Sequence, residues 1–122
     1  MIERDDLDEI VGRRVTNVAI NPTSVSLCFD GQGKGGGWLL IQCSYALRLG
    51  ESDITGAATE PESAKPLLHC LEENITNANF DSDKVLTLFF ERGQFLKIMP
   101  ESDGLESYVL HTRRGIVPII AF

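Results

Sequence analysis

The chain has 122 residues, 43% of them apolar, which is enough for one domain with a core of its own. Its 18 Asp and Glu residues outnumber 11 Lys and Arg, and the net charge of −7 disfavours nucleic-acid binding, which depends on basic side chains meeting phosphates. No apolar run approaches the roughly 18 residues of a membrane-spanning helix. The acidic N-terminus lacks the apolar stretch of a signal peptide. We therefore expect a single cytoplasmic domain over residues 1–122, with no nucleic-acid or membrane partner.

The first 49 residues predict a short helix followed by strands. The segment Asp5–Val11 has apolar residues on one helical face and is predicted as a helix, with Asp5 or Asp6 as the N-cap and Gly12 ending it. Alternating apolar and β-branched residues predict strands at residues 13–20, 24–29 and 38–43. Tyr45–Leu49 either continues the third of these strands or bends away from it.

The rest of the chain predicts a loop, a helix and further strands. Residues 50–61 are small and polar and predict the loop. Glu62–Asn74 carries a helical apolar stripe, with Ser63 as the cap unless the helix begins only at Pro66. Strands are predicted at residues 75–80, 85–91, 95–99, 106–111 and 116–120. Pro118 indicates that the last of these strands lies at a sheet edge or carries a bulge, because proline cannot donate a hydrogen bond to a central ladder.

Two segments of the chain resemble each other. The triplets starting at Val15 (Val-Thr-Asn) and Ile75 (Ile-Thr-Asn) are each followed by an alternating apolar triplet, a turn and another strand. Two interpretations are open: an internal repeat over residues 13–49 and 73–120, or independent strand patterning. The predicted fold class is α+β, with mostly antiparallel β-sheet from two meander-like units and one or two short helices. The units form one continuous sheet or two packed sheets.

Few residues in the sequence are arranged for catalysis or metal binding. Cys28, Cys43 and Cys70 are widely spaced and read as reduced core thiols. His69 and His111 lack the paired, short spacing of zinc ligands. We therefore expect no metal site and no cofactor.

Two further patterns also favour structural explanations over chemistry. The glycine-rich residues 31–37 precede a strand-like segment, whereas a phosphate-binding loop leads directly into a helix. The carboxylate pairs lie in loops beside Ser and Gly, where solvation explains them better than general acid–base catalysis. The carboxylate pairs are Asp5 and Asp6, Asp81 and Asp83, and Glu101 and Asp103. We therefore expect that the protein is not an enzyme.

The second half of the chain resembles a known family. Phe90–Ile98 contains Gly-x-x-Leu, Leu105–Leu110 contains Glu-Ser-Tyr after an acidic loop, and Arg114–Ile119 contains Gly-Ile-Val. The opening segments Ile10–Val15 and Val25–Gly31 also fit this pattern. Together they resemble immunity proteins of contact-dependent growth inhibition and related polymorphic toxin systems.

The resemblance implies a protein that binds a cognate toxin domain in a 1:1 complex and blocks its active site or substrate surface. Many such toxins are nucleases with basic surfaces, and an acidic chain would associate with them quickly. The candidate contact residues are Asp81, Asp83, Glu101, Asp103, Glu106 and Tyr108. For Tyr108 the alternative is a structural role, in which its hydroxyl holds a loop in place by a hydrogen bond.

A different class of function is the alternative. A small-molecule-binding or enzymatic domain would have its site between sheet and helix and would use His69, Cys70 or Trp38.

Overall fold

The computed structural model describes residues 1–30 and 36–122. The chain is an α+β protein with mostly antiparallel β-sheet and two short helices, which confirms the predicted fold class. Most of the glycine-rich segment that was considered as a phosphate loop, residues 31–35, lies outside the described residues. No helix in the described part of the chain is both long enough and apolar enough to cross a bilayer.

Helix α1 and a 3₁₀ helix each precede five strands. The first half contains α1 (Arg4–Ile10), β1 (Val15–Ile20), β2 (Val25–Phe29), β3 (Gly37–Ile41), β4 (Ser44–Leu49) and β5 (Ser52–Ala57). The second half contains the 3₁₀ helix (Pro61–Cys70), β6 (Ile75–Phe80), β7 (Leu86–Phe90), β8 (Phe95–Met99), β9 (Glu106–Thr112) and β10 (Gly115–Ile120).

The strands form two antiparallel sheets that exchange hairpins between the halves. Sheet A has the order β1-β2-β3-β9-β10, and sheet B has the order β5-β4-β8-β7-β6. Each sheet thus combines a three-stranded meander from one half of the chain with the final hairpin of the other half. Of the two predicted arrangements, the chain adopts two sheets, and side chains from both belong to one apolar core.

The two halves also meet through equivalent backbone groups. The Val15 N–H donates to the carbonyl of Glu73 at 3.0 Å, and the Ile75 N–H donates to the carbonyl of Arg13 at 2.8 Å. An isolated antiparallel bridge lies between these bonds. The contact is at the start of β1 and β6, where the two similar sequence triplets begin.

The prediction of a loop over residues 50–61 is wrong, because β5 lies within it. Strand β5 pairs with β4 along its whole length, and Gly50, with a φ of +61°, makes the tight turn between them. Strand β5 is an edge strand of sheet B and its side chains are mostly polar or small, so its alternation is weak in the sequence. Tyr45–Leu49 therefore bends away from β3 and enters the other sheet as β4.

The second predicted helix is shorter and of another type. It is a 3₁₀ helix over Pro61–Cys70, and the side chains of Ala64, Leu67 and Cys70 are buried at the three-residue spacing of that helix. Pro66 lacks the N–H that an α-helix would need at this position. Ser63 is not the cap, because its hydroxyl accepts a hydrogen bond from the backbone of β5.

Helix α1 begins slightly earlier than predicted. Glu3 is the N-cap, and Asp6 completes a capping box by accepting the Glu3 N–H at 2.8 Å. Gly12 follows the helix with a φ of +88°, in agreement with its predicted role. Pro118 also behaves as predicted, since β10 is an edge strand, and it additionally has an irregular register at Ile119 and Ile120.

Candidate partner-binding surface

The five predicted contact carboxylates lie on the connections at one end of each sheet. Asp81 and Asp83 are in the turn between β6 and β7, Glu101 and Asp103 are in the connection between β8 and β9, and Glu106 is the first residue of β9. All five are exposed.

The C-terminal residues join the two loops. The Gly104 N–H donates to the carbonyl of Ala121 at 2.8 Å, and the Lys84 ammonium donates to the carbonyl of Ile120 at 2.7 Å. Both loops and the C-terminus line one cavity of about 210 Å³. The fold therefore brings Asp83 close to the loop that carries Glu101 and Asp103.

A second crevice, of about 250 Å³, gathers the remaining carboxylates. Glu101, Asp103 and Glu106 line it, together with the buried thiol of Cys43. Burial raises the pKa of Cys43 to about 12, and the nearby carboxylates of Glu101 and Asp103 add to the effect. Since the thiolate is the nucleophilic form, the protonated Cys43 is unreactive at neutral pH.

Two of the carboxylates also hold their own loops. Asp81 accepts hydrogen bonds from the backbone N–H groups of Asp83 (2.9 Å) and Val85 (3.0 Å). Glu101 accepts from both the backbone and the hydroxyl of Ser44, at 3.1 and 2.7 Å. Substitution of these residues would change loop structure as well as charge.

The other three carboxylates differ in how far they are engaged. Asp103 accepts the N–H of Leu105 at 2.9 Å. The side chains of Asp83 and Glu106 make no hydrogen bond within the described part of the chain. None of the five predicted carboxylates has an ion pair with a described Lys or Arg. Asp83 and Glu106 are therefore the two positions where charge can be changed with least effect on the fold.

Tyr108 does not belong to this surface. Its side chain is fully buried, and its hydroxyl donates to the carbonyl of Lys84 at 2.7 Å. Burial raises the pKa of Tyr108 well above the ordinary value of 10.0. The prediction of a direct partner contact at Tyr108 is thus corrected: the residue fixes the turn that carries Asp81 and Asp83, which is the structural alternative.

Two exposed apolar side chains lie among the carboxylates and were missed in the sequence. Phe122 is 89% exposed and Leu105 is 68% exposed. Leu105 lines the same crevice as Glu106, and Phe122 lines the same cavity as Asp83. We call this surface the acidic end; it consists of Asp81, Asp83, Glu101, Asp103, Leu105, Glu106 and Phe122.

Within the described residues, carboxylates of the N-terminal helix form ion pairs with arginines, unlike those of the acidic end. Arg114 lies 3.3 Å from Asp5 and 3.1 Å from Asp6, and Arg113 lies 2.9 Å from Glu9. These pairs attach α1 to the turn between β9 and β10. The unpaired negative charge of the structure is therefore more concentrated at the acidic end than at α1.

The residues proposed for the alternative function lie on two different elements and differ in exposure. His69 is exposed on the 3₁₀ helix, whereas Cys70 is fully buried and its pKa is raised to about 12 by burial. Trp38 lies in sheet A and stacks on His111, with ring centroids 4.9 Å apart. Among residues 1–30 and 36–122, no group of three His, Cys, Asp or Glu side chains is placed to hold a metal ion.

Comparison of the chain with known proteins found no matching family model, no matching curated protein and no matching solved structure.

Proposed function

We propose that this chain is an immunity protein, not an enzyme, which acts in the cytoplasm by binding a cognate toxin domain in a 1:1 complex. The observation that carries the proposal is the acidic end, where unpaired carboxylates surround the exposed side chains of Leu105 and Phe122. An apolar or aromatic anchor inside a polar rim is typical of protein interfaces. Bound there, the chain would cover the active site or substrate surface of the toxin.

The charge of the chain suits a nuclease toxin. Such an enzyme needs a basic surface to hold phosphates, and a chain of net charge −7 is attracted to that surface. The attraction raises the association rate most at low ionic strength. Competition for the basic groove would neutralise the toxin without any reaction by the immunity protein.

The direct test is calorimetry with the toxin domain encoded immediately upstream of this chain. We expect 1:1 binding by the wild type. The variant Asp83→Lys/Glu106→Lys, which leaves the loop hydrogen bonds in place, should bind at least about tenfold more weakly and with a smaller dependence on salt. No heat of binding by the wild type at micromolar concentration contradicts the proposal.

A matched control separates position from charge. Glu51 and Glu62 are exposed and lie in the β4–β5 turn and the 3₁₀ helix. The variant Glu51→Lys/Glu62→Lys changes the net charge of the chain by the same amount. It should keep the wild-type affinity to within about twofold at physiological salt, because long-range effects are screened there.

A further inference from the structure

None of the described strand positions on the outer face of sheet A carries a charged side chain. Along each strand, every second residue points away from the core. The strand register aligns these outward residues in two rows across the five strands. The ten outward positions are Asn17, Ala19, Ser26, Cys28, Trp38, Leu40, Val109, His111, Ile116 and Pro118.

The outer face of sheet B carries charge, although its strands are arranged in the same way. It contains Arg48, Asp53 and Lys97 together with polar side chains and a pair of phenylalanine rings. The ten equivalent positions are Asn77, Asn79, Thr87, Phe89, Phe95, Lys97, Ala46, Arg48, Thr55 and Asp53. The fold therefore does not require an uncharged outer face, and the apolar face of sheet A needs another explanation.

The outer apolar side chains of sheet A are most accessible along the edge strand β10, whereas Val109 on the neighbouring strand is only 5% exposed. Ile116 is 62% exposed and Pro118 is exposed, while Trp38 and His111 are half-buried against each other as a stacked pair. Both helices contribute apolar side chains to the core, among them Leu7, Ile10 and Leu67. Contiguous apolar surface of this kind is characteristic of interaction sites.

The outer face is continuous with the acidic end. Ile120, the next outward residue of β10 after Pro118, pairs with Glu106 and is followed two residues later by Phe122. Apolar surface thus runs along β10 directly to the unpaired carboxylates. A partner that covers the face would also meet this negative charge.

The dimensions of the face favour a folded partner over a second copy of the chain. Five strands about 4.8 Å apart and about 17 Å long give a face of roughly 400 Å². A stable interface covers about 800 Å² on each partner. Two copies stacked on this face alone would bury too little, and each carries a charge of −7. A basic domain that also reaches the acidic end gains both area and charge complementarity.

We propose that the outer face of sheet A is the apolar centre of a docking surface for a folded protein domain with a basic surface, and that the acidic end is its charged rim. This inference rests on the proposed function, since the partner it describes is the toxin domain. It adds where on the chain that domain binds, and it identifies Trp38, Ile116 and Pro118 as contacts.

Cys28 provides a footprint of this face in the wild-type protein. It lies in the same row as Trp38 and is half-buried, whereas Cys43 and Cys70 are buried and have pKa values raised to about 12. At pH 8, a maleimide should label Cys28 first, which the Cys28→Ser variant verifies. Saturation with the upstream-encoded toxin domain should slow this labelling at least about tenfold.

A variant pair tests the contact itself. Ile116→Glu places a charge on the edge strand of sheet A, and Thr55→Glu places the same charge on the edge strand of sheet B. Ile116→Glu should weaken binding at least about thirtyfold, whereas Thr55→Glu should remain within about twofold of the wild type. Circular dichroism checks that both variants are folded, and the Cys28 footprint remains decisive if Ile116→Glu is not.

The outcomes distinguish this inference from the proposed function. If the wild type does not bind the toxin domain, the proposed function fails and this inference fails with it. If the wild type binds but Cys28 labelling is unchanged and Ile116→Glu binds normally, only the docking face is wrong. A wild-type dimer in light scattering that Ile116→Glu dissociates assigns the face to a second copy and also overturns the inference.

Discussion

Sheets A and B share a strand plan and an apolar inner face but differ in the charge of their outer faces. Leu39 in sheet A and Leu96 in sheet B occupy equivalent inward positions, and both are fully buried. On the outside, Leu40 of sheet A corresponds to Lys97 of sheet B, and Ile116 corresponds to Asp53. The common core therefore constrains the inner residues of both sheets in the same way, whereas the outer residues can differ between the sheets.

The largest effects should come from the inner face and should be equal in the two sheets. Leu39→Ala and Leu96→Ala each leave a cavity in the shared core and should each lower the free energy of unfolding by about 2–5 kcal/mol. Because the core is common to both sheets, a single cooperative transition is expected. Urea denaturation of both variants measures the two losses.

The single tryptophan makes this prediction sharper. Trp38 lies in sheet A, so its fluorescence reports on that sheet, whereas far-ultraviolet circular dichroism reports on both. The two signals should give the same midpoint in the wild type and in both variants. Separate midpoints would show that the sheets unfold independently and that the core does not couple them.

Two tyrosines at equivalent positions should differ by a smaller amount. Tyr108 donates its hydroxyl proton to the carbonyl of Lys84, whereas the hydroxyl of Tyr45 lies 3.1 Å from Ser63, which also donates to the carbonyl of Glu60. Tyr108→Phe should cost about 1–2 kcal/mol, because the carbonyl loses its donor. Tyr45→Phe should cost less, since Ser63 keeps its other partners.

The Tyr108 effect should also depend on pH. Its folded-state pKa lies above the ordinary value of 10.0, so above pH 10 the unfolded chain releases the phenolic proton while the folded chain keeps it. The wild type therefore loses stability there, by up to about 1.4 kcal/mol per pH unit, and Tyr108→Phe lacks this loss. The difference between the two proteins should shrink between pH 9 and pH 11; a constant difference would contradict the burial of a neutral phenol.

Much of the fold follows from local patterns in the sequence, and the errors have physical causes. Alternation along the strands predicts the two meanders because each strand has one face in the core. Strand β5 escaped prediction because an edge strand of Ser, Asp, Thr and Gly residues is defined by its partner β4. The apolar stripe that includes Leu68 and Leu71 predicts an α-helix where the structure has a 3₁₀ helix. Both leucines are exposed, and the buried side chains follow a three-residue spacing instead.

The candidate surface was predictable in part. Exposed carboxylates in polar loops are recognisable from sequence, but their grouping depends on how the C-terminus joins the turns at Lys84 and Gly104. Tyr108 appeared as a contact because interface tyrosines and core tyrosines look alike in sequence. The apolar outer face of sheet A could not be seen at all, since it depends on the pairing of β3 with β9 across the two halves.

The smallest effects on stability should come from exchanging outer residues between the sheets. Ile116→Asp and Asp53→Ile each give one sheet the residue of the other at an exposed edge-strand position, and each should change the free energy of unfolding by no more than about 0.5 kcal/mol. Asp53→Ile removes a pair with Arg48 at 3.7 Å, which contributes little because the side chains are 41% (Arg48) and 72% (Asp53) exposed. Urea denaturation at low and high salt measures both changes. A loss above about 2 kcal/mol for Ile116→Asp alone would mean that the apolar face supports the folded state, and the contrast between the sheets would then reflect stability rather than binding.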